Sequence, residues 1–178
     1  MGNYRNFKLV AYFVAGGVKV ATRDQLEKDL AFFDRHMRLD KIYLEAYRDI
    51  FVTEEQYLLC KEVLESHGIE VAGGITTTFP AAEDEHHKQR LFNTFCYNDE
   101  KMVGRLKEVS TFLGKHCDEF IIDDFYFTNC TCEACRAGRD AYNQAHGITD
   151  GSWERYRMDL MYRISKEAMI APAKAVNP

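Results

Sequence analysis

With 178 residues, 46% of them hydrophobic and 13% aromatic, the chain has enough apolar material for a core of ordinary domain size. Its formal net charge of -5 argues against a nucleic-acid partner, and no apolar run approaches the roughly 18 residues of a membrane span. Met1 to Phe7 lacks the apolar core of a signal peptide, so a soluble protein is expected, cytoplasmic or exported with its signal removed.

Residues 8–14 (KLVAYFV) are rich in β-branched and aromatic side chains and predict a first strand, ended by Gly16 and Gly17. Thr22 with Gln25 has capping-box spacing. Leu26, Leu30, Phe33 and Met37 then recur at helical period. Residues 41–45 (KIYLE) predict a second strand. Thr53 and Gln56 repeat the capping box ahead of a helix that ends at Gly68. Residues 69–72 predict a third strand closed by Gly73 and Gly74, and Asn98 a cap for a helix over residues 99–115. Residues 119–123 (EFIID) predict the fourth strand. Residues 132–146 and 152–175 predict further helix, broken near Gly147 and Gly151.

Alternation of this kind implies a parallel sheet with right-handed crossovers. Each strand-to-strand interval is about the size of one barrel unit. The expected fold is α/β: a parallel (β/α)4 half of a TIM-type barrel over residues 1–178 as a single domain, with a cysteine-rich loop after strand 4. A flavodoxin-like sheet is the rival, but no GxGxxG or P-loop spacing follows the first strand. The chain reaches Asn177–Pro178 where another strand would begin. Either four strands make a complete small sheet, or the barrel is finished by later sequence or by a second copy of the chain.

Barrel active sites lie at the C-terminal strand ends. Those ends carry Tyr12, then Glu45-Ala46-Tyr47-Arg48, then Thr76-Thr77-Thr78, then Asp123-Asp124-Phe125-Tyr126. Carboxylates among aromatics suit carbohydrate. Acids supply proton transfer or nucleophilic attack, and ring faces stack on sugar C–H surfaces. Asp124, Asp123 and Glu45 are the candidate catalytic residues, and Tyr12, Tyr47, Arg48 and Tyr126 the candidate substrate contacts. The blander alternative for Glu45 is an ion pair with Arg48. The adjacent Asp123 and Asp124 repel each other and call for a substrate or cation.

Of six cysteines, Cys130, Cys132 and Cys135 form C-x-C-x-x-C. Tetrahedral zinc takes four ligands, commonly thiolates. Cys96 is the best fourth, Cys60 falls at an apolar helix position, and Cys117 precedes the fourth strand. Free or oxidised thiols without metal are the alternative. His86-His87 sits in a charged loop and reads as solvated.

The segment FCYND (95–99), followed by a helix and EFIIDDFYFTNCTCEACR (119–136), resembles the barrel domain of glycoside-hydrolase-like proteins, many of them bacterial. It is also similar to the zinc-containing β-galactosidases, which carry a cysteine before the third helix and a C-x-C-x-x-C loop after the fourth strand. The resemblance implies structural zinc at Cys96, Cys130, Cys132 and Cys135, and a carbohydrate substrate. Those galactosidases end the fourth strand in Asn-Glu. Asp123-Asp124 here is more similar to retaining α-glycosidases, whose aspartate is the nucleophile. In both groups the second catalytic carboxylate lies on a later strand. Residues 1–178 alone are therefore expected to be inactive, or to serve as a non-catalytic sugar-binding or structural half-barrel that self-associates.

Overall fold

The computed structural model describes residue 4, residues 6–123 and residues 125–178. They divide into two compact units, one within 1–76 and 116–123, the other within 77–115 and 124–178. Among the described residues no helix is long and apolar enough to cross a membrane.

The first unit holds the sheet. Strands β1 (Val10–Phe13), β2 (Lys41–Arg48), β4 (Glu70–Ile75) and β5 (Phe120–Ile122) run parallel in the order β1-β2-β4-β5. β3 (Ile50–Phe51) folds back antiparallel on the end of β2. The reversal passes through Asp49, a non-glycine residue at φ 57°. The register between β2 and β4 shifts between Glu45 and Tyr47. Bulges at strand ends re-aim side chains, and this one falls where the candidate site begins. Helices α1 (Ala15–Val20), α2 (Arg23–His36) and α3 (Glu54–Ser66) belong to the same unit. Both predicted capping threonines act: Thr22 Oγ1 accepts from Gln25 N–H and Thr53 Oγ1 from Gln56 N–H, each at 3.3 Å. Val18, Leu44, Tyr57, Cys60 and Val63 are fully buried.

Two glycine pairs depart from the sequence reading. Gly16 and Gly17 do not merely end a strand; they lie inside α1. Gly73 and Gly74 do not close the third strand but are its interior. The reason at Gly74 is close approach: a Cβ there would stand 2.8 Å from the Tyr12 hydroxyl. Glycine breaks strands by default, yet it is tolerated where another group must come near.

The second unit is helical. It contains most of α4 (Glu100–His116), together with α5 (Glu133–Ala145), α6 (Glu154–Ile164) and α7 (Ala171–Val176). The cap of α4 is Asp99, whose Oδ1 accepts from Met102 N–H at 3.0 Å, not Asn98 as expected. A wide π-turn over Ser165–Ile170 joins α6 to α7 just ahead of Pro172, a residue without the N–H that continues an α-helix. Gly114 of α4 packs so closely on α7 that a Cβ would meet the Ala173 backbone at 2.8 Å. Gly147 and Gly151 take φ 63° and 70°, which accounts for the predicted helix breaks.

Candidate functional site

The C-terminal ends of the parallel strands carry a cluster built around Glu45, which is fully buried. One carboxylate oxygen accepts from the Tyr12 hydroxyl at 2.8 Å and from Thr76 Oγ1. The other accepts from Ala15 N–H at 2.6 Å. Arg48 Nε lies 3.1 Å from both oxygens. The same guanidinium donates through Nη2 to Asp123, and Thr76 Oγ1 is 3.2 Å from Asp123 Oδ2. Thr76 has one hydroxyl hydrogen to give, so Glu45 and Asp123 compete for it.

One guanidinium thus faces two carboxylates, leaving the cluster one negative charge in excess. Burial pulls the Arg48 proton affinity down, but hydrogen bonds to Glu45 and Asp123 more than offset it. Tyr12 is pushed well above the ordinary phenol range, by burial first and by the Glu45 charge second. It is a hydroxyl donor, not a phenolate. Every lone-pair direction of Glu45 is taken up by this protein's own donors. Asp123, with a side chain 25% exposed, and Arg48, 31% exposed, are partly open to solvent, as is Tyr12.

The structure therefore brings together Tyr12, Glu45, Arg48 and Asp123, with Thr76 added. Tyr47 is 1% exposed, its ring edge-on to Phe51. Tyr126 belongs to the second unit, where its hydroxyl is 2.7 Å from Ser165 Oγ and its ring packs on Tyr97. Asp124 lies outside the described residues.

The second unit holds the cysteine centre. The Sγ atoms of Cys96, Cys130, Cys132 and Cys135 lie within 4.8 Å of one another, all buried. Cys96 Sγ is 3.8 Å from Cys132 Sγ and 3.5 Å from Cys135 Sγ. Thiolates held 2.3 Å from a common tetrahedral centre would stand about 3.8 Å apart, so these residues fit a metal of that kind. Hydrogen bonds from Cys135 and Cys96 hold Cys130 far below the usual thiol range. The reciprocal bonds to Cys130 push Cys96 up, and Cys135 to about 12. A divalent ion would let all four ionise.

Around the sulfurs stand polar groups that sequence reading did not assign. Arg90 Nη1 is 3.9 Å from Cys130 Sγ. Asn98 Nδ2 donates to Cys135 Sγ at 3.2 Å, and its Oδ1 accepts from Tyr156 at 2.9 Å. Asn98 stands next to a cap position and was read as the cap; Arg90 carried no local signal. A cavity of about 420 Å³, lined in part by Asp84, Arg90, Asn98, Cys96 and Cys132, opens beside the centre. Cys60 and Cys117 belong to the first unit. Cys60 is fully buried, and Cys117 is 3.2 Å from the Tyr57 hydroxyl.

A parallel α/β unit with strand-end carboxylates, in a chain that also carries a four-cysteine centre, narrows the class. A family model described as "probable glycosyl hydrolase, catalytic domain" matches residues 1–178, and the chain belongs to that family. It is 29% identical over 191 residues to uncharacterized protein SSO3021 of Saccharolobus solfataricus. That match takes in 97% of this chain but 31% of the relative, so the chain spans about a third of that protein's length. No solved structure matches.

Proposed function

We propose that residues 1–178 are the first (β/α)4 half of a TIM-type glycoside-hydrolase barrel, acting as one domain on a carbohydrate. The catalytic carboxylate is Asp123 or Asp124 at the end of β5. The observation that carries this reading is the partly exposed Asp123 carboxylate, held by Arg48 at the strand ends of a chain in a glycosyl hydrolase family. Glu45 is the platform beneath it. A carboxylate that already accepts from Tyr12, Thr76, Arg48 and a backbone N–H has no free lone pair for a sugar. Tyr12 and Arg48 then stand in the sugar site through that platform.

Glycoside hydrolysis needs a pair of carboxyl groups about 5 to 10 Å apart across the scissile bond. With Glu45 committed, the partner acid comes from sequence beyond these residues or from a second copy. Four thiolates leave no open position for water. The ion they would hold is structural zinc, as in the zinc-containing β-galactosidases, and supplies no chemistry to the sugar.

A second reading is favoured by the saturation of Glu45: residues 1–178 by themselves hold a sugar without cleaving it. Among the described residues β1 and β5 are the outer strands of the parallel sheet, with Val10 and Ile121 42% and 40% exposed, and their outer edges would pair with a second copy. Exposed edges of this kind invite pairing. A panel of aryl glycosides and oligosaccharides offered to the intact protein and to residues 1–178 separates the readings. Release of reducing sugar by the intact protein alone supports the half-barrel enzyme. Calorimetric binding without release in either form supports the sugar-holding module. Neither release nor binding in either form contradicts both.

A further inference from the structure

Arg90 is an improbable residue to bury. Its side chain is 1% exposed and that of its partner Asp84 is 4% exposed. Nη2 pairs with Asp84, Nε donates to the Thr94 carbonyl at 2.5 Å, and Nη1 points at Cys130 Sγ, 3.9 Å away. Asp84 in turn accepts from the His86 backbone N–H at 3.0 Å. One guanidinium therefore ties both ends of the segment from Asp84 to Thr94 to a sulfur of the cysteine centre. Between those ends lie short 3-10 turns at His87–Gln89 and Leu91–Asn93, and the far end is also bridged from Thr94 to Thr78.

We propose that Arg90 is a positioning residue of the metal centre. It fixes Cys130 for coordination, and it makes the order of the 84–94 segment depend on whether metal is bound. The inference rests on the reading of the four cysteines as a metal site. Charge balance shows why direction matters more than charge. Four thiolates and a divalent ion carry a net charge of two minus, and the Arg90–Asp84 pair adds none. What Arg90 contributes is an aimed donor, Nη1, while its countercharge is taken on another nitrogen, Nη2. Donors aimed at ligand atoms hold them in place and share their charge, and losing one typically weakens metal affinity about 10- to 100-fold. Asn98 does the same for Cys135 at shorter range, braced by Tyr156. The wall of the neighbouring cavity includes Asp84 and Arg90, so metal occupancy would also set that cavity's shape.

The test uses the intact protein and two variants. Arg90→Lys keeps the cation beside Asp84 but loses the three-way fork. The double variant Asp84→Asn/Arg90→Met removes both buried charges and leaves neither stranded. Zinc affinity is measured by competition with a chromophoric chelator, and thiolate coordination by the charge-transfer absorption of the cobalt-loaded protein. Hydrogen exchange over residues 84–94 is followed with and without zinc. The wild type is expected to bind one ion and to protect the segment when zinc is present. Both variants are expected to keep the four-thiolate cobalt spectrum, lose about 10- to 100-fold in zinc affinity, and lose the zinc-dependent protection. Wild-type affinity and unchanged protection in either folded variant would overturn the role given to Arg90. A wild type that binds no metal overturns the metal site itself, an outcome distinct from the first.

Discussion

The two polar centres of this chain resolve their charge in opposite ways. At the strand ends, Glu45 and Asp123 face Arg48, and hydroxyls and a backbone N–H complete the shell. That cluster is closed in its hydrogen bonds around Glu45, and its one excess negative charge lies toward the partly exposed Asp123. The cysteine centre is open, since four buried thiols have no counter-ion among themselves and Arg90 is already matched by Asp84. A closed cluster with one exposed carboxylate is suited to act on a ligand. An open set of soft donors is suited to be held together by one.

Removing the cation should have the largest effect. A metal at a thousandfold excess over its Kd adds about 4 kcal/mol to stability, or roughly 10 °C in Tm for a chain of this size. Calorimetry before and after chelation checks this, and an unchanged Tm would erase the contrast. Breaking the closed cluster comes next. Glu45→Leu strands Arg48 and should cost about 3 kcal/mol, the low end for a broken buried pair because Arg48 keeps Asp123 and some water. Urea denaturation measures it, and a cost near zero would show that Glu45 is not the platform. Gly74→Ala should cost about 2 kcal/mol by driving a methyl into the Tyr12 hydroxyl. The same change in a Tyr12→Phe background should cost less.

The smallest effect is on pH dependence, at the opposite end of the strands. Hydrogen bonds from Lys41 hold Glu70 and Glu119 below the usual carboxylate range. Their contribution is present above the unfolded value of about 4.3 and lost as pH falls through the lowered one. Burial pulls Lys41 down, but its bonds to Glu119 and Glu70 raise it overall. Its contribution is full below about 10.4 and lost as pH rises through the folded value. Both glutamates are about half exposed, so solvent screens the effect. Lys41→Met should flatten both limbs of the stability–pH curve slightly, and unaltered limbs would remove Lys41 from the account.

The strands, their parallel order and both capping threonines were legible because each rests on local pattern: β-branched runs, helical period and a hydroxyl three residues before an amide. So was the cysteine set, since three of its four members sit within six residues. The glycines of β4 misled because their purpose is the approach of Tyr12, a residue far away in sequence. For the same reason Arg90 was missed, and Thr76, though read at a strand end, was given no role. A buried arginine is justified by the partners that surround it, and these are fixed only once the chain is folded. The bulge after Glu45 likewise separates Tyr47 from the exposed part of the cluster in a way that strand alternation does not reveal.

The proposed function divides the labour: Asp123 or Asp124 would do the chemistry, and Glu45 would be the platform that holds Arg48. The most direct measurement is turnover of an aryl glycoside by the intact protein and by its Asp123→Asn, Asp124→Asn and Glu45→Gln variants, with Tm recorded for each. The account predicts that at least one aspartate variant loses about 100-fold or more in kcat at nearly unchanged Tm. Glu45→Gln should lower Tm while the folded fraction keeps most of its turnover. Full activity in both aspartate variants, or a Glu45→Gln protein that is stable yet inactive, would contradict it.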